Sequence, residues 1–592
     1  MEFKRTFDLL DYTLEKYNNT IALAGKVNKE WVTYSQKEFN EKAINFSYGL
    51  LELGMKPGDV IALVSNNRPE WNFIDMGISQ AGMVHLPIYP TITAEEYEYI
   101  LNDAEPKLLV ISDKSLYNKI QPILKKTRSI KGVYTIDQVE NAKNWEEILS
   151  LGKENTKKHE VSLEKFKQSV KPEDLVTLIY TSGTTGFPKG VMLSHSNLVS
   201  NAIYTSVVHA NGHGAKCLSF LPLCHIYERM LIYHYMYKGI SIYYAENMGT
   251  IINDLKDIKP DLFSTVPRLL ETVYDKIISK GKGLPFVKKQ IFFWAVNLGH
   301  KFRLHGKNSW FYKKRLNIAD KLVFSKWREA LGGNIKTIVS GGAALQPRLS
   351  TIFWAAKVHI IEGYGLTETS PVIAVNNLIT DEVMVGTVGP LIEASQVKIA
   401  EDGEILSKGP HIMMGYYNKP DLTKEVIDED GWFHTGDIGA MIDNKYLKIT
   451  DRKKEIFKLS NGKYVAPQVI ENKFKESLFI EQLMVIGENE KFASALLSPN
   501  FEFLHNWCFL HKINYRDNVH LVKMPEVISR YQKEVNKINQ NLAFHEQIKR
   551  FRLVCKEWGP ATGELSPTLK LKRNVLYKEY DSIIKEIYSI SG

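Results

Sequence analysis

Apolar positions fall in turn at helical and at strand spacing through residues 1 to about 170. Lys37 to Leu53 carries the helical period. Gly58-Asp59 then turns the chain into the apolar run Val60-Ile61-Ala62-Leu63-Val64, a strand. Gly82 to Pro90, a helical segment near Glu95 to Asp103 and the strand Lys107 to Ile111 repeat the unit. Such alternation predicts a mostly parallel sheet covered by helices. Farther on, Leu175 to Tyr180 reads as a buried strand, and Ser194 takes the N-cap position ahead of a helix over Asn197 to Val208. Lys336 to Leu345 is a strand ending in a small-residue turn, and His359-Ile360-Ile361 is another strand. Gly386 to Asp443 is glycine-punctuated and strand-rich, which predicts a small antiparallel β subdomain. Ile449 to Ile456 is a charged tract between apolar segments, the pattern of an interdomain hinge. Pro467 then suits the first turn of a helix, and Phe501 to Phe551 reads as mainly helical.

Composition narrows the classes. At 592 residues the chain is too long for one core, and 44% hydrophobic with 24% charged residues is a globular balance. No run reaches the roughly 18 apolar residues of a membrane span, and the first residues turn acidic before any apolar signal develops. Four scattered cysteines suggest neither a disulfide framework nor a zinc site, so a reducing cytoplasm is expected. The net charge of +9 suits an anionic partner, which the charge alone leaves open among nucleic acid, nucleotide, CoA and an acidic lipid surface. From Ser279 to Leu331 lysines and arginines interleave with Phe286, Phe292, Trp294, Trp310, Phe311 and Trp327. That mixture suits peripheral contact with the inner face of a membrane; a solvated helical hairpin with one buried aromatic face is the bland alternative. No recognisable nucleic-acid module accompanies it, so no nucleic acid is expected as partner.

The densest chemistry lies in Thr181-Ser182-Gly183-Thr184-Thr185-Gly186-Phe187-Pro188-Lys189-Gly190, between the strand Leu175 to Tyr180 and the apolar run Val191 to Leu193. A turn of this composition can wrap backbone N–H groups and hydroxyls around a polyphosphate while Lys189 adds positive charge. The common Walker A loop is excluded, because Pro188 and Gly190 flank the lysine where that motif needs a glycine and a Ser or Thr.

This loop resembles the phosphate-binding signature of the adenylate-forming enzymes, and further motifs follow in that superfamily's order from about Tyr12 to Arg573. Leu221-Pro222-Leu223 with His225, Glu228 and Arg229 looks like the long-chain acyl-CoA synthetase branch, where His225 would line the junction of the acyl and CoA sites. Ser340 to Leu345 and Glu362 to Thr369 resemble the adenine pocket. There Tyr364 would stack on the base, Gly342 and Ala343 would cover its other face, Thr367 would reach the α-phosphate and Glu368 would hold Mg2+. Asp437 and Arg452 would take the ribose, Lys454 would occupy the hinge position, and Lys570 matches the C-terminal catalytic lysine. Phosphate contacts would come from Thr181, Ser182, Gly183, Thr184, Thr185 and Lys189.

The resemblance implies an α/β fold. A large N-terminal domain of helix-covered mixed sheets, 1–450, would include the β subdomain near 386–450; a hinge, 451–456, would lead to a smaller mobile α+β domain, 457–592. It also implies a ligase for long-chain fatty acid, ATP and CoA. The alternatives are an acyl-AMP ligase that loads a carrier protein and a nucleotide-binding scaffold without chemistry.

Overall fold

The computed structural model describes residues 3–181, 188–306, 308–559, 562–566 and 570–589. The fold is mixed α/β, and the chain divides into two compact units. The larger comprises 1–398, 406–434 and 441–447; the smaller comprises 399–405, 435–440 and 448–592.

Two eight-stranded sheets build the larger unit. In one, Val84–Ile88, Val60–Val64, Leu108–Ile111 and Gly132–Thr135 run parallel, as the alternation predicts. Leu175–Thr181 extends them, and Lys189–Ser194 and Gly415–Tyr416 close that edge as antiparallel strands. The other sheet has a parallel interior of Ser241–Tyr244, Lys216–Ser219, Leu262–Thr265, Thr337–Ser340 and His359–Gly365. Its edges are antiparallel.

Strand period decides which side chain enters which core. Ile61 and Leu63 join the cluster that also holds Phe39, Phe46, Trp71, Phe73 and Met230. Val60, Ala62 and Val64 pack on the opposite face with Leu86, Tyr97 and Leu109. Each large side chain so buried contributes about 1.5–3 kcal/mol relative to exposure.

Helix starts follow local chemistry. Gln36–Glu52 and Ala94–Ala104 begin with reciprocal capping boxes, Ser35 with Glu38 and Thr93 with Glu96. Ser194 is an N-cap as expected, but its helix is His195–Thr205: Asn197 is the reciprocal third residue of the box rather than the first of the helix. The basic aromatic segment folds into the end of Pro267–Lys282 followed by Phe286–Gly299, Trp310–Ala319 and Ser325–Ala330. Its aromatics divide by face. Phe292, Phe324 and Trp327 are buried, whereas Phe286, Trp310 and Phe311 are 76%, 62% and 74% exposed.

In the smaller unit Ile480–Ile486 pairs antiparallel with Ser494–Pro499, which pairs parallel with Arg550–Leu553. Leu483, Val485 and Leu497 pack with Ile470, Leu504 and Tyr531 from three helices. Met484, Ile486 and Leu496 pack with Leu576, Tyr580 and Ile587. The stretch after Phe501 is mainly helical, Phe501–Leu510 and Pro525–Asn539 being its longest helices.

Candidate active site

Thr181 and Lys189 are opposed residues at the mouth of an antiparallel hairpin, so the phosphate-loop sequence is the hairpin's connection. Ser182, Gly183, Thr184 and Thr185 lie outside the described residues. Lys189 Nζ stands 4.9 Å from the centre of the Tyr416 ring, and the Tyr416 hydroxyl donates to Glu368 Oε1 at 2.9 Å. Burial, and then the Glu368 charge, raise the Tyr416 phenol above its ordinary range, so it stays a donor. Glu368 lies in the single turn Thr367–Thr369, and its carbonyl accepts from Met413 N at 2.9 Å. Tyr416 thereby joins the candidate phosphate lysine to the candidate metal carboxylate. No spacing in the sequence marks Tyr416, because its strand is only two residues long.

The first turn assigned to adenine follows the parallel strand Thr337–Ser340; the second is largely strand, because His359–Gly365 runs on past the expected end at Ile361, with Ser340 opposite Glu362 and Tyr364 opposite Ala374. The crevice at the carboxyl ends of such strands is where open α/β sheets bind ligands. Gly342 takes φ +79°, which disfavours any residue with a Cβ. A Cβ on Gly365 would lie 1.6 Å from the Pro371 carbonyl oxygen, so the turn before Thr367 closes only with glycine. Gly342 and Ala343 are exposed, Tyr364 and Glu368 half-buried and Thr367 buried. Glu362, which the motif reading passed over, is a buried carboxyl whose Oε2 accepts from Leu345 N at 3.4 Å. Burial pushes it up to about 8.

His225 caps the helix Ile226–Tyr237: its Nδ1 accepts from Tyr227 N at 3.1 Å, and its ring stands edge-on to Tyr89. Asn67 pins the preceding loop through Leu221 O and Leu223 N. Glu228 and Arg229, read from the sequence with His225, are fully buried in the scaffold. Glu228 accepts from Ser219 and Ser264, and burial pushes it up to about 7. Arg229 pairs with Asp75 at 2.5 Å and donates to Thr177 and Tyr233, while His85 and Tyr233 also meet Asp75. Burial opposes ionisation of Asp75, but Arg229, His85 and Tyr233 together outweigh it and hold the carboxyl below its usual range. Thr177 belongs to the strand that ends at Thr181. These buried charges therefore fix the helix behind His225 against the base of the hairpin.

The remaining candidates belong to the smaller unit. Asp437, buried, meets Arg452 Nε at 3.3 Å, so two residues fifteen apart form one polar pair. Lys453 is held by Asp402 at 2.6 Å and Glu404 at 2.7 Å, and Lys454 is exposed in the turn that follows Arg452. Lys570 is exposed: its carbonyl accepts from Ser566 N at 2.8 Å, and its N–H donates to Ser566 Oγ at 3.1 Å.

Among the described residues no three His, Cys, Asp or Glu side chains gather as a metal site. A single carboxylate is nevertheless the protein share expected for Mg2+, which takes its other ligands from substrate phosphates and water. Glu368, half-buried and joined to the Lys189 side chain through Tyr416, fits that donor set as the single carboxylate.

Comparison with known proteins adds the following. Residues 10–417 match the family described as AMP-binding enzyme, and 454–591 match the AMP-binding enzyme C-terminal domain. The chain is 32% identical to the peroxisomal long chain acyl-CoA synthetase 7 of Arabidopsis thaliana, covering 98% of this chain and 85% of the relative. It is 32% identical to a long-chain-fatty-acid–CoA ligase of Mycobacterium bovis, covering 91% and 90%. Among solved structures, the adenylation domain of a carboxylate reductase from Mycobacterium chelonae superposes with a TM-score of 0.75 at 22% identity, covering 99% of this chain and 91% of that one. An anthranilate CoA ligase in complex with anthranoyl-AMP gives 0.71 at 17%, covering 97% of each. At these identities the structures bear on the fold alone.

Proposed function

The chain belongs to the AMP-binding enzyme family, among its AMP-forming acid–thiol ligases, and on that premise we propose that it is a long-chain fatty-acid–CoA ligase. The observation that supports this reading is the Lys189–Tyr416–Glu368 contact, which links the candidate phosphate-binding cation to the candidate metal-binding carboxylate.

A carboxylate needs a better leaving group than its own oxygen before a thiol can displace it. In the first half-reaction a fatty-acid oxygen bonds to the α-phosphorus of ATP, and the bond to the β-phosphate oxygen breaks, releasing pyrophosphate. Lys189 and the Thr181–Thr185 loop hold the phosphates, Tyr364 with Gly342 and Ala343 holds adenine, and Asp437 with Arg452 takes the ribose. Thr367 and Lys570 stabilise the charge that builds around phosphorus. Glu368 would hold Mg2+, which would supply neutralisation of phosphate charge when bound with ATP. In the second half-reaction the CoA sulfur bonds to the acyl carbon and AMP leaves, with His225 lining the junction of the acyl and CoA sites. Rotation of the C-terminal domain about 451–456 carries Lys570 away between the two steps.

The decisive experiment supplies ATP, Mg2+ and CoA with saturated fatty acids of increasing length, and follows pyrophosphate and acyl-CoA. Pyrophosphate without CoA consumption would favour loading of a carrier protein; neither product would favour a scaffold.

Peripheral membrane contact is part of the same reading. No helix among the described residues is long and apolar enough to cross a membrane. Exposed Phe286, Val287, Trp310 and Phe311 are instead interleaved with exposed Lys288, Lys313 and Lys314, a composition that suits an anionic lipid surface. Salt-sensitive sedimentation with anionic but not zwitterionic vesicles is the expected result; equal recovery with both rejects the contact.

A further inference from the structure

Within the smaller unit one guanidinium joins three segments distant in sequence. Arg573 opens the helix Arg573–Glu579. Its Nε lies 3.1 Å from Glu455 Oε2, and its Nη2 lies 2.8 and 2.9 Å from the two oxygens of Glu471. All three side chains are nearly out of solvent, at 14%, 13% and 6% exposure. Glu455 closes the turn after Arg452, its N–H donating to the Arg452 carbonyl at 2.9 Å. Gln468 also donates to Glu455 Oε2. Glu471 lies on the helix Pro467–Phe474 and accepts from Val485 N at 2.8 Å.

Lys570 stands three residues before Arg573, on a loop tied at its base. Lys572 N donates to the Glu564 carbonyl at 2.8 Å, and the buried Glu564 carboxylate pairs with Lys556 at 2.6 Å. Arg573 is the link from that base to the turn carrying Arg452 and Lys454. Asp451 shows how much negative charge Arg573 answers: burial raises this carboxyl to about 7, Glu455 and Glu471 add to the rise, and Arg573 opposes it.

We propose that Arg573 is the positioning residue for Lys570, fastening the lysine loop to Glu455 at the domain end of the hinge and to the helix carrying Glu471, so that the loop moves with the C-terminal domain as one piece. The proposal rests on the adenylation role given above to Lys570. A bidentate, planar guanidinium suits such a clamp, since it engages two carboxylates in fixed directions where an ammonium cannot. Without Arg573 the bonds of Lys570 to Ser566 and of Lys572 to Glu564 would hold the loop's base together but leave it without its ionic tie to Glu455 and Glu471, and a reacting phosphate is sensitive to the misplacement that allows.

Arg573→Ala leaves two buried carboxylates unpaired and stands to unfold the unit, so the test uses Arg573→Lys and Glu455→Gln in the full chain. Three quantities are read: pyrophosphate release from fatty acid and ATP, thioester formation from supplied acyl-adenylate, and hydrogen exchange of the peptide spanning 562–572 without substrates. Both variants are expected to lower kcat of adenylation by about ten-fold or more, with KM for ATP and the supplied-adenylate step within about two-fold. Exchange should rise at 562–572 and at 452–456 together. Equal loss of both half-reactions, or exchange rising throughout the smaller unit, would reduce Arg573 to a fold-stabilising ion pair and overturn the proposal. Unchanged exchange at 562–572 overturns it too. If the unmutated chain makes no adenylate from any fatty acid, the assigned function fails, while the exchange measurement still decides whether Arg573 couples the two segments.

Discussion

The Tyr416 hydroxyl donates a 2.9 Å hydrogen bond to Glu368 while the same ring lies 4.9 Å from Lys189 Nζ, so one aromatic side chain touches both charges of the candidate phosphate site. Tyr416→Phe keeps the ring and removes only the hydroxyl. A hydrogen bond to a charged group is worth roughly 1.5–3 kcal/mol. Glu368 should then hold Mg2+-ATP less well, with kcat/KM falling roughly ten-fold or more and a higher Mg2+ concentration needed for half-maximal pyrophosphate release. An unchanged Mg2+ dependence would detach Tyr416 from the metal carboxylate.

Lys570→Ala should abolish pyrophosphate release from fatty acid and ATP, yet spare thioester formation from supplied acyl-AMP. Charge stabilisation at phosphorus belongs only to the first half-reaction. Equal loss of both steps counts against the alternation of domains.

Asp437 and Arg452 form one pair, so the carboxylate is pre-oriented for vicinal hydroxyls. Asp437→Ala is expected to raise KM for ATP by about ten-fold and to erase discrimination against 2′-deoxy-ATP. Retained discrimination in steady-state competition would move the ribose elsewhere.

Glu362 gives a pH signature. Burial raises its folded pKa from 4.5 to about 8. Between those values the folded chain binds a proton that the unfolded chain releases, so stability declines as pH rises through that window. The contribution is fully present below about pH 4.5 and lost above about pH 8. Glu362→Gln, which cannot ionise, should flatten this slope, so that its melting temperature gains on the unmutated chain from pH 5 toward 8. Parallel melting curves across that range would contradict the assignment.

Much of the scaffold is legible along the chain. The period switch between Lys37 and Val64 marks a helix and a strand covered on both faces, and Ser35-x-x-Glu38 and Thr93-x-x-Glu96 announce their helices, because these signals are local. The motif residues announce their chemistry for the same reason: glycine is required where φ is positive or a neighbour is 1.6 Å away, as at Gly342 and Gly365. Glu228 and Arg229 were less transparent. Both lie close in sequence to the candidate site histidine His225, yet both are spent inside the core, on Ser219 and Ser264 and on Asp75 and Thr177.

By itself, then, the sequence determined the order of strands and helices, the position of the phosphate loop and the kinds of groups available to bind a nucleotide. Only the tertiary structure chose between neighbours that look alike. Tyr416 and Tyr417 are adjacent and chemically identical, but strand geometry sends them to opposite faces, Tyr416 to the core shared with the helices and Tyr417 to the cluster beyond the sheet. The choice rests on how Gly415–Tyr416 registers against Met192 and Val191. Cross-strand register depends on segments more than two hundred residues apart, and a shift of one residue would exchange the two rings.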